Sequence, residues 1–269
     1  MGSQTEVSGP DLRAGVALSE LLDETPLLGH VDDHAVVLVR VDKEVFAVGA
    51  TCTHWSGPLA EGIVTGESIH CPWHHACFSL RTGVPISPPA LNALPRWRVH
   101  IRDGRAYVGD QLDDVARPAP RAHPAVESIA IIGAGASGMV AAETLRKEGF
   151  GGAITLIDPD ADAPYDRPNL SKDFLAGNAP EEWLELRGAD FWREHDINRV
   201  VAAVESLDTS ARQLRLSTGD TVRYDAVLLA TGSQPIRLPI PGNDRAHVHV
   251  LRTRADCTRL IAGLGTNPR

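Results

Sequence analysis

The chain has 269 residues, 43% hydrophobic and 23% charged, with a formal net charge of −9. That length allows two domains of ordinary size, each able to bury a core without disulfides. The acidity is spread along the chain and argues against nucleic-acid binding, which needs a basic patch for the phosphates. No run of 18 apolar residues is present, so no membrane span is expected. Met1–Pro10 has neither a basic nor an apolar stretch and does not read as a signal peptide. A cytoplasmic location is expected.

The first hundred residues are expected to be β-rich. Ala35–Val41 is an apolar, β-branched run. Asp42-Lys43-Glu44 reads as a turn leading to Val45–Val48. Short runs follow at Ile63–Val64, Ser68–His70, Cys77–Leu80, Trp97–Ile101 and Ala106–Val108. Glycine, proline or aspartate separates them, with a second turn signal at Arg102–Arg105. This punctuation predicts a small all-β sandwich or barrel over residues 8–112.

Within that region lies Cys52-Thr-His54, sixteen residues, then Cys71-Pro-Trp-His74. Two short loops each offer one cysteine and one histidine. In a Rieske centre two histidines replace two cysteines on one iron of a [2Fe–2S] unit, so thiolates hold one iron and imidazoles the other. The neutral ligands raise the potential above that of an all-cysteine cluster. A structural zinc site is the alternative, since Cys2His2 also suits tetrahedral zinc. Zinc spacing commonly pairs like with like, whereas the order here is interleaved. Cys52, His54, Cys71 and His74 are therefore the expected metal ligands.

Both loops resemble those of soluble Rieske ferredoxins, over about residues 8–110. The resemblance implies service to oxygenases or flavoprotein reductases, and hence a redox partner protein. Higher-potential Rieske proteins carry an extra cysteine in each loop, joined as a disulfide. The matching positions here are Ser56 or Gly57, and Trp73. Those relatives also donate hydroxyl hydrogen bonds to the cluster from positions that match Ala76 and Phe78. Without these, the resemblance implies a potential near the low end of the range, about −150 mV. His75 is expected at the surface and Cys77 in the core. Val84–Pro89 resembles the proline-rich loop that shields such clusters.

Arg117–Val126 contains Pro118, Pro120 and Pro124, and residues 113–126 are expected to form an extended linker. After it the pattern becomes βαβ: Ser128–Ile132 a buried strand, Ser137–Glu148 a helix, Ala153–Ile157 a second strand. Ala211–Ser217 and Thr221–Tyr224 flank a hairpin turn, and Ala226–Ala230 is another buried strand. Residues 127–269 thus read as an α/β unit with a Rossmann-like sheet.

Gly133-Ala-Gly135-Ala136-Ser137-Gly138 is a G-x-G-x-x-G motif between that strand and helix. Its glycines permit a tight turn and close approach of a pyrophosphate to the helix N-terminus. Asp158 follows the second strand, where it can accept hydrogen bonds from a ribose. Pro164–Lys172 resembles the segment after the ribose-binding acid in apoptosis-inducing-factor-like flavoprotein reductases. The resemblance covers about residues 127–255 and implies FAD. It places Arg167 at the phosphates or ribose, and Lys172 against the flavin ring, where a cation stabilises negative charge on reduced flavin. Ala230-Thr231-Gly232 resembles the A-T-G motif of that family, and Arg237 with Pro239–Gly242 continues the pattern. Some reductases of this family carry an N-terminal Rieske domain.

In that family a second glycine motif for NAD(P)H follows, then the returning half of the FAD domain. Ile261–Gly265 holds only fragments of such a motif. The expectation is a truncated reductase that lacks the NAD(P)H domain and binds FAD weakly or not at all. In the complete arrangement electrons pass from NAD(P)H through FAD to the cluster. A Rieske carrier with a vestigial tail and a redox sensor are the alternatives.

Overall fold

A computed structural model describes residues 8–113, 121, 123 and 125–264. The chain divides into two compact units, residues 1–116 and 117–269.

The first unit is built from two antiparallel sheets. Its strands are β1 (Val16–Ala17), β2 (Leu27–Val31), β3 (His34–Val41), β4 (Glu44–Gly49), β5 (Ile63–Thr65), β6 (Ser68–His70), β7 (Cys77–Ser79), β8 (Pro85–Ser87), β9 (Arg96–Arg102) and β10 (Arg105–Leu112). Six of them form one sheet in the order β1-β10-β9-β4-β3-β2. The lobe inserted between β4 and β9 forms the other, β5-β6-β7-β8. β3 is apolar almost throughout because both of its faces are covered. Val37 and Val39 join Ile69, Phe78 and Leu80 of the inserted lobe in one core. Val36 and Leu38 join Leu12, Trp97 and Val108 in another. Phe78 is wholly buried, and burying such a side chain contributes about 1.5–3 kcal/mol. Cys52 and Cys71 belong to the same core as Phe78. The cluster loops are thereby anchored in apolar packing at their cysteine ends.

The second unit begins with β11 (Ser128–Ile132), α1 (Ala136–Lys147) and β12 (Ala153–Asp158). It continues with a short helix α2 (Phe191–Glu194), β13 (Ile197–Val201), β14 (Val204–Asp208), β15 (Gln213–Leu216), β16 (Thr221–Arg223), β17 (Ala226–Leu229) and α3 (Arg254–Leu264). β13-β12-β11-β17 is a parallel sheet, and β14-β15-β16 an antiparallel one. Ala130, Ile132 and Ile157 pack against Leu214 and Leu216 of the smaller sheet and Tyr224 just after it. Arg146, near the end of α1, donates to four carbonyl oxygens: Phe150 (2.6 Å), Gly152 (2.7 Å), His195 (2.8 Å) and Asp196 (2.7 Å). One guanidinium thus fixes the helix to the segments entering β12 and β13.

The strands and helix expected from the sequence are present with small shifts of boundary. β1, β2, β8, β13, β14, α2 and α3 were not anticipated, and β8 falls inside the expected proline-rich loop Val84–Pro89. Ile261–Leu264 is not a remnant of a glycine loop but the last turn of α3. Of the expected linker, residues 114–120, 122 and 124 lie outside the described residues. Arg121 is bound to the second unit, its N–H donating to Gly149 O (2.6 Å) and its carbonyl accepting from Gly151 N (3.1 Å). Among the described residues no helix is long and apolar enough to cross a membrane.

Candidate metal centre and dinucleotide site

The loops that carry the Cys/His motifs are backbone duplicates. In the first, Cys52 N–H donates to Gly57 O (2.8 Å) and Ser56 N–H to Cys52 O (3.0 Å). In the second, Cys71 N–H donates to Ala76 O (2.9 Å) and His75 N–H to Cys71 O (3.1 Å). Each loop closes one residue before the cysteine and six after it, through Thr51↔Pro58 and His70↔Cys77. The fifth residue of each, Ser56 or His75, takes a left-handed backbone with φ of 55° or 59°.

This frame brings like side chains together although they are interleaved in sequence. The Cys52 thiol is within hydrogen-bonding reach of Cys71. The His54 and His74 rings have centroids 5.0 Å apart and planes at 84°. Among the described residues no three His, Cys, Asp or Glu side chains converge as they would on a single ion. A thiol pair beside an imidazole pair is the arrangement that a binuclear cluster requires. It does not suit one tetrahedral zinc.

Burial pushes the Cys52 thiol up to about 11, with the adjacent Cys71 acting in the same direction. The N–H groups of His54 and Trp55 oppose this by favouring the thiolate. Metal binding must therefore displace a firmly held proton. Burial, then the neighbouring His74, holds His54 below the ordinary histidine value and favours the neutral ring. Its Nδ1 is buried with no hydrogen-bond partner. An orphaned nitrogen on a ring that stands beside a second imidazole fits a metal ligand. The cysteines are buried, while His74 and His75 are exposed.

Of the two positions matched to the second cysteine of other Rieske proteins, Gly57 is the one that faces Trp73. A Cβ there would lie 3.3 Å from the indole, and 2.6 Å from Cys71 Sγ. Thr53 Oγ1 donates to Asn92 O (2.6 Å), tying the first loop to the segment after the cis Pro88–Pro89 bond. Cys77 is buried, with Sγ 3.6 Å from His70 Nε2. All four cysteines are free.

In the second unit, α1 follows β11 through the glycine motif. Gly133 has φ of 104°, and a Cβ there would meet Ala230 O at 2.2 Å. A Cβ on Gly138 would meet Gly133 O at 1.9 Å. Backbone packing alone thus demands two of the glycines, and the first brings Ala230-Thr231 against the loop. Gly135 caps α1, Ala136 and Ser137 open it exposed, and its first turn contains no acid. The unpaired N–H groups of that turn favour an anion. Asp158 accepts from Ala134 N (2.6 Å) and Asp160 N (2.8 Å). It lines a pocket with Gly135, Asp160, Tyr165 and Arg167. The Arg167 guanidinium lies over Tyr165, and about 4.0 Å from where a Gly135 Cβ would stand.

Lys172 ends the 3-10 turn Arg167–Ser171 with its side chain exposed. Thr231 and Gly232 are exposed beyond β17. Sequence reasoning missed Arg252, whose guanidinium stands 2.6 Å from a Cβ built on Gly232 and whose carbonyl accepts from Arg167 Nη1 (3.4 Å). No local pattern marks it. The loop that precedes α3 brings it back to the site, and Asp256 holds that loop by accepting from Arg252 N (3.1 Å) and Thr253 N (2.9 Å).

Residues 15–98 match the Rieske [2Fe-2S] domain, and residues 127–267, just over half of the chain, match the pyridine nucleotide-disulphide oxidoreductase family. These imply a [2Fe–2S] cluster and FAD, and the two sites described fit them. The chain is 34% identical to human apoptosis-inducing factor 3 over 238 residues, which are 84% of this chain and 39% of that protein. It is 40% identical to the ferredoxin–NAD(+) reductase component of the biphenyl dioxygenase system of Paraburkholderia xenovorans, over 52% of this chain and 34% of that one. A solved ferredoxin reductase from Rhodopseudomonas palustris matches with a TM-score of 0.50 and 30% identity, over 51% of this chain and 34% of that one. The chain therefore spans well under half the length of these relatives. It belongs to the pyridine nucleotide-disulphide oxidoreductase family, with a Rieske [2Fe–2S] domain ahead of the family's region.

Proposed function

We propose that this chain is an electron-transfer component that passes electrons between FAD and a Rieske cluster. The observation that carries the reading is the separation of a thiol pair, Cys52 and Cys71, from an imidazole pair, His54 and His74. Residues 8–112 would form the cluster domain, 113–126 the linker and 127–269 the FAD unit. When bound, the cluster supplies a one-electron store and FAD a carrier of one or two electrons.

The cysteine end of the cluster site lies in the apolar core, which excludes water from the thiolates. The N–H groups of His54 and Trp55 stabilise negative charge on Cys52 Sγ. The imidazole end reaches the surface at His74, so a partner would exchange electrons there. In the FAD unit the first turn of α1 and Arg167 would hold the pyrophosphate, Asp158 the ribose, and Arg252 the loop at Gly232. Thr231 and Gly232 would line the flavin end. Lys172 would stabilise negative charge on the reduced ring, its exposed ammonium moving onto it on binding. Names of relatives that refer to dioxygenase systems support an oxygenase or similar redox protein as partner. Four free cysteines support a cytoplasmic setting.

An anaerobic reductive titration followed at the flavin and cluster bands tests the reading. Both centres should fill. His74→Ala should stop delivery to a one-electron acceptor while flavin reduction persists. A cluster that stays oxidised while FAD is reduced would overturn the proposal.

A further inference from the structure

The first unit is acidic, with eight Lys or Arg against fifteen Asp or Glu in residues 1–116. Four of its eight cations, Arg96, Arg98, Arg102 and Arg105, nevertheless stand on β9 and β10. Two of these are held by carbonyl groups. Arg96 donates to Arg81 O (3.0 Å) and Asp113 O (3.1 Å), and Arg105 to Gly15 O (2.5 Å). The side chains of Arg98 and His100 have no hydrogen bond or ion pair among the described residues. Arg102 lies over the Tyr107 ring at 5.2 Å, and its contact with Asp103 is 3.7 Å with both side chains largely exposed. Such an exposed pair contributes little.

Arg98, His100 and Arg102 alternate along β9, so they share one face at intervals of ~7 Å. The residue opposite His100 on β10 is Tyr107, and beyond it Gly109 presents no side chain. No carboxylate is interleaved in this row. β9 pairs with β10 from Arg96 to Arg102 and with β4 at Arg96 and Trp97, and the three side chains project from the face of this sheet.

We propose that the outer face of β9 is a docking stripe for an acidic, extended segment of a partner protein, with carboxylates at alternate positions. The spacing of alternate side chains on an extended peptide is the same ~7 Å. Arginine forks suit carboxylates. A nucleic acid fits less well. Its charges continue far beyond three side chains, and the remainder of this unit is negative.

The test uses the full chain and a fluorescein-labelled hexaglutamate peptide, followed by anisotropy at low salt. Wild-type protein should bind, and added salt should weaken binding. Joint Arg98→Glu and Arg102→Glu should weaken it at least about tenfold, and the alanine pair by an intermediate factor. Joint Lys43→Glu and Arg223→Glu makes the same change of net charge at exposed positions elsewhere and should leave binding intact. Absence of peptide binding, equal loss in the control, or tighter binding of a single-stranded oligonucleotide of equal charge would overturn the proposal.

Discussion

His54 and His74 stand with ring centroids 5.0 Å apart and nearly perpendicular planes, although nineteen residues separate them between their positions in the chain. Two copies of one backbone loop produce this pairing. Each is closed by equivalent hydrogen bonds, and each turns through a left-handed residue. The duplication sets the thiols in the core, with His54 half-buried and His74 exposed to solvent.

Gly57→Ala tests the contact between the loops. The added Cβ would press on Cys71 Sγ, which is buried and cannot withdraw freely. Cluster content per chain should fall several-fold while FAD content is unchanged, as read by iron, sulfide and acid-released flavin. Normal cluster content would show that the thiol position tolerates displacement.

Gly138→Ala should abolish FAD binding, because its Cβ would overlap Gly133 O. A loss of stability of about 1–3 kcal/mol should accompany it. Gly188→Ala, where a Cβ meets nothing, should leave melting and flavin content unchanged.

Arg167→Ala and Arg252→Ala should each weaken FAD binding about tenfold, the weight of one charge-assisted contact. Isothermal titration of flavin-stripped protein measures it. An unchanged Arg252→Ala would remove that residue from the site.

Glu143 and Arg187 form a buried ion pair at 2.8 Å, with side chains 7% and 9% exposed. Glu143 also pairs with Lys147 at 2.9 Å, so its removal takes a buried carboxylate from two cations at once. Glu143→Ala should therefore cost about 3–5 kcal/mol in thermal or chemical unfolding.

Acid should weaken the second unit through Asp225. The Glu127 N–H, then the Ser128 hydroxyl and N–H, hold its carboxyl below the ordinary range, against some desolvation. The folded value lies below the unfolded one. Its stabilising effect is therefore complete above about pH 4 and is lost as pH falls through the folded value. Asp225→Asn should flatten the acid limb of a stability–pH curve.

The cluster site was legible because its chemistry is local. A cysteine and histidine pair in each loop marks the candidate ligands, whereas the left-handed Ser56 and His75 appear only in the folded loops. β11, α1 and β12 were legible for the same reason, since apolar runs and the glycine turn lie in one short stretch. β13 and β14 were missed. Ile197–Val201 mixes Asn198 and Arg199 into an edge strand that is buried chiefly at Ile197, and β14 is largely exposed. Arg252 was missed because only tertiary packing brings it to Gly232. The choice between Ser56 and Gly57 opposite Trp73 needed the loop geometry, since it depends on which residue carries the left-handed turn.

The central claim is that the thiol and imidazole pairs hold different irons. Mössbauer spectroscopy of iron-57-enriched, reduced protein, with iron, zinc and acid-labile sulfide assayed on the same sample, tests it most directly. The account predicts two irons and two sulfides per chain, with a ferric site in sulfur coordination and a ferrous site bearing nitrogen ligands. One zinc per chain, or two irons in equivalent surroundings, would contradict it.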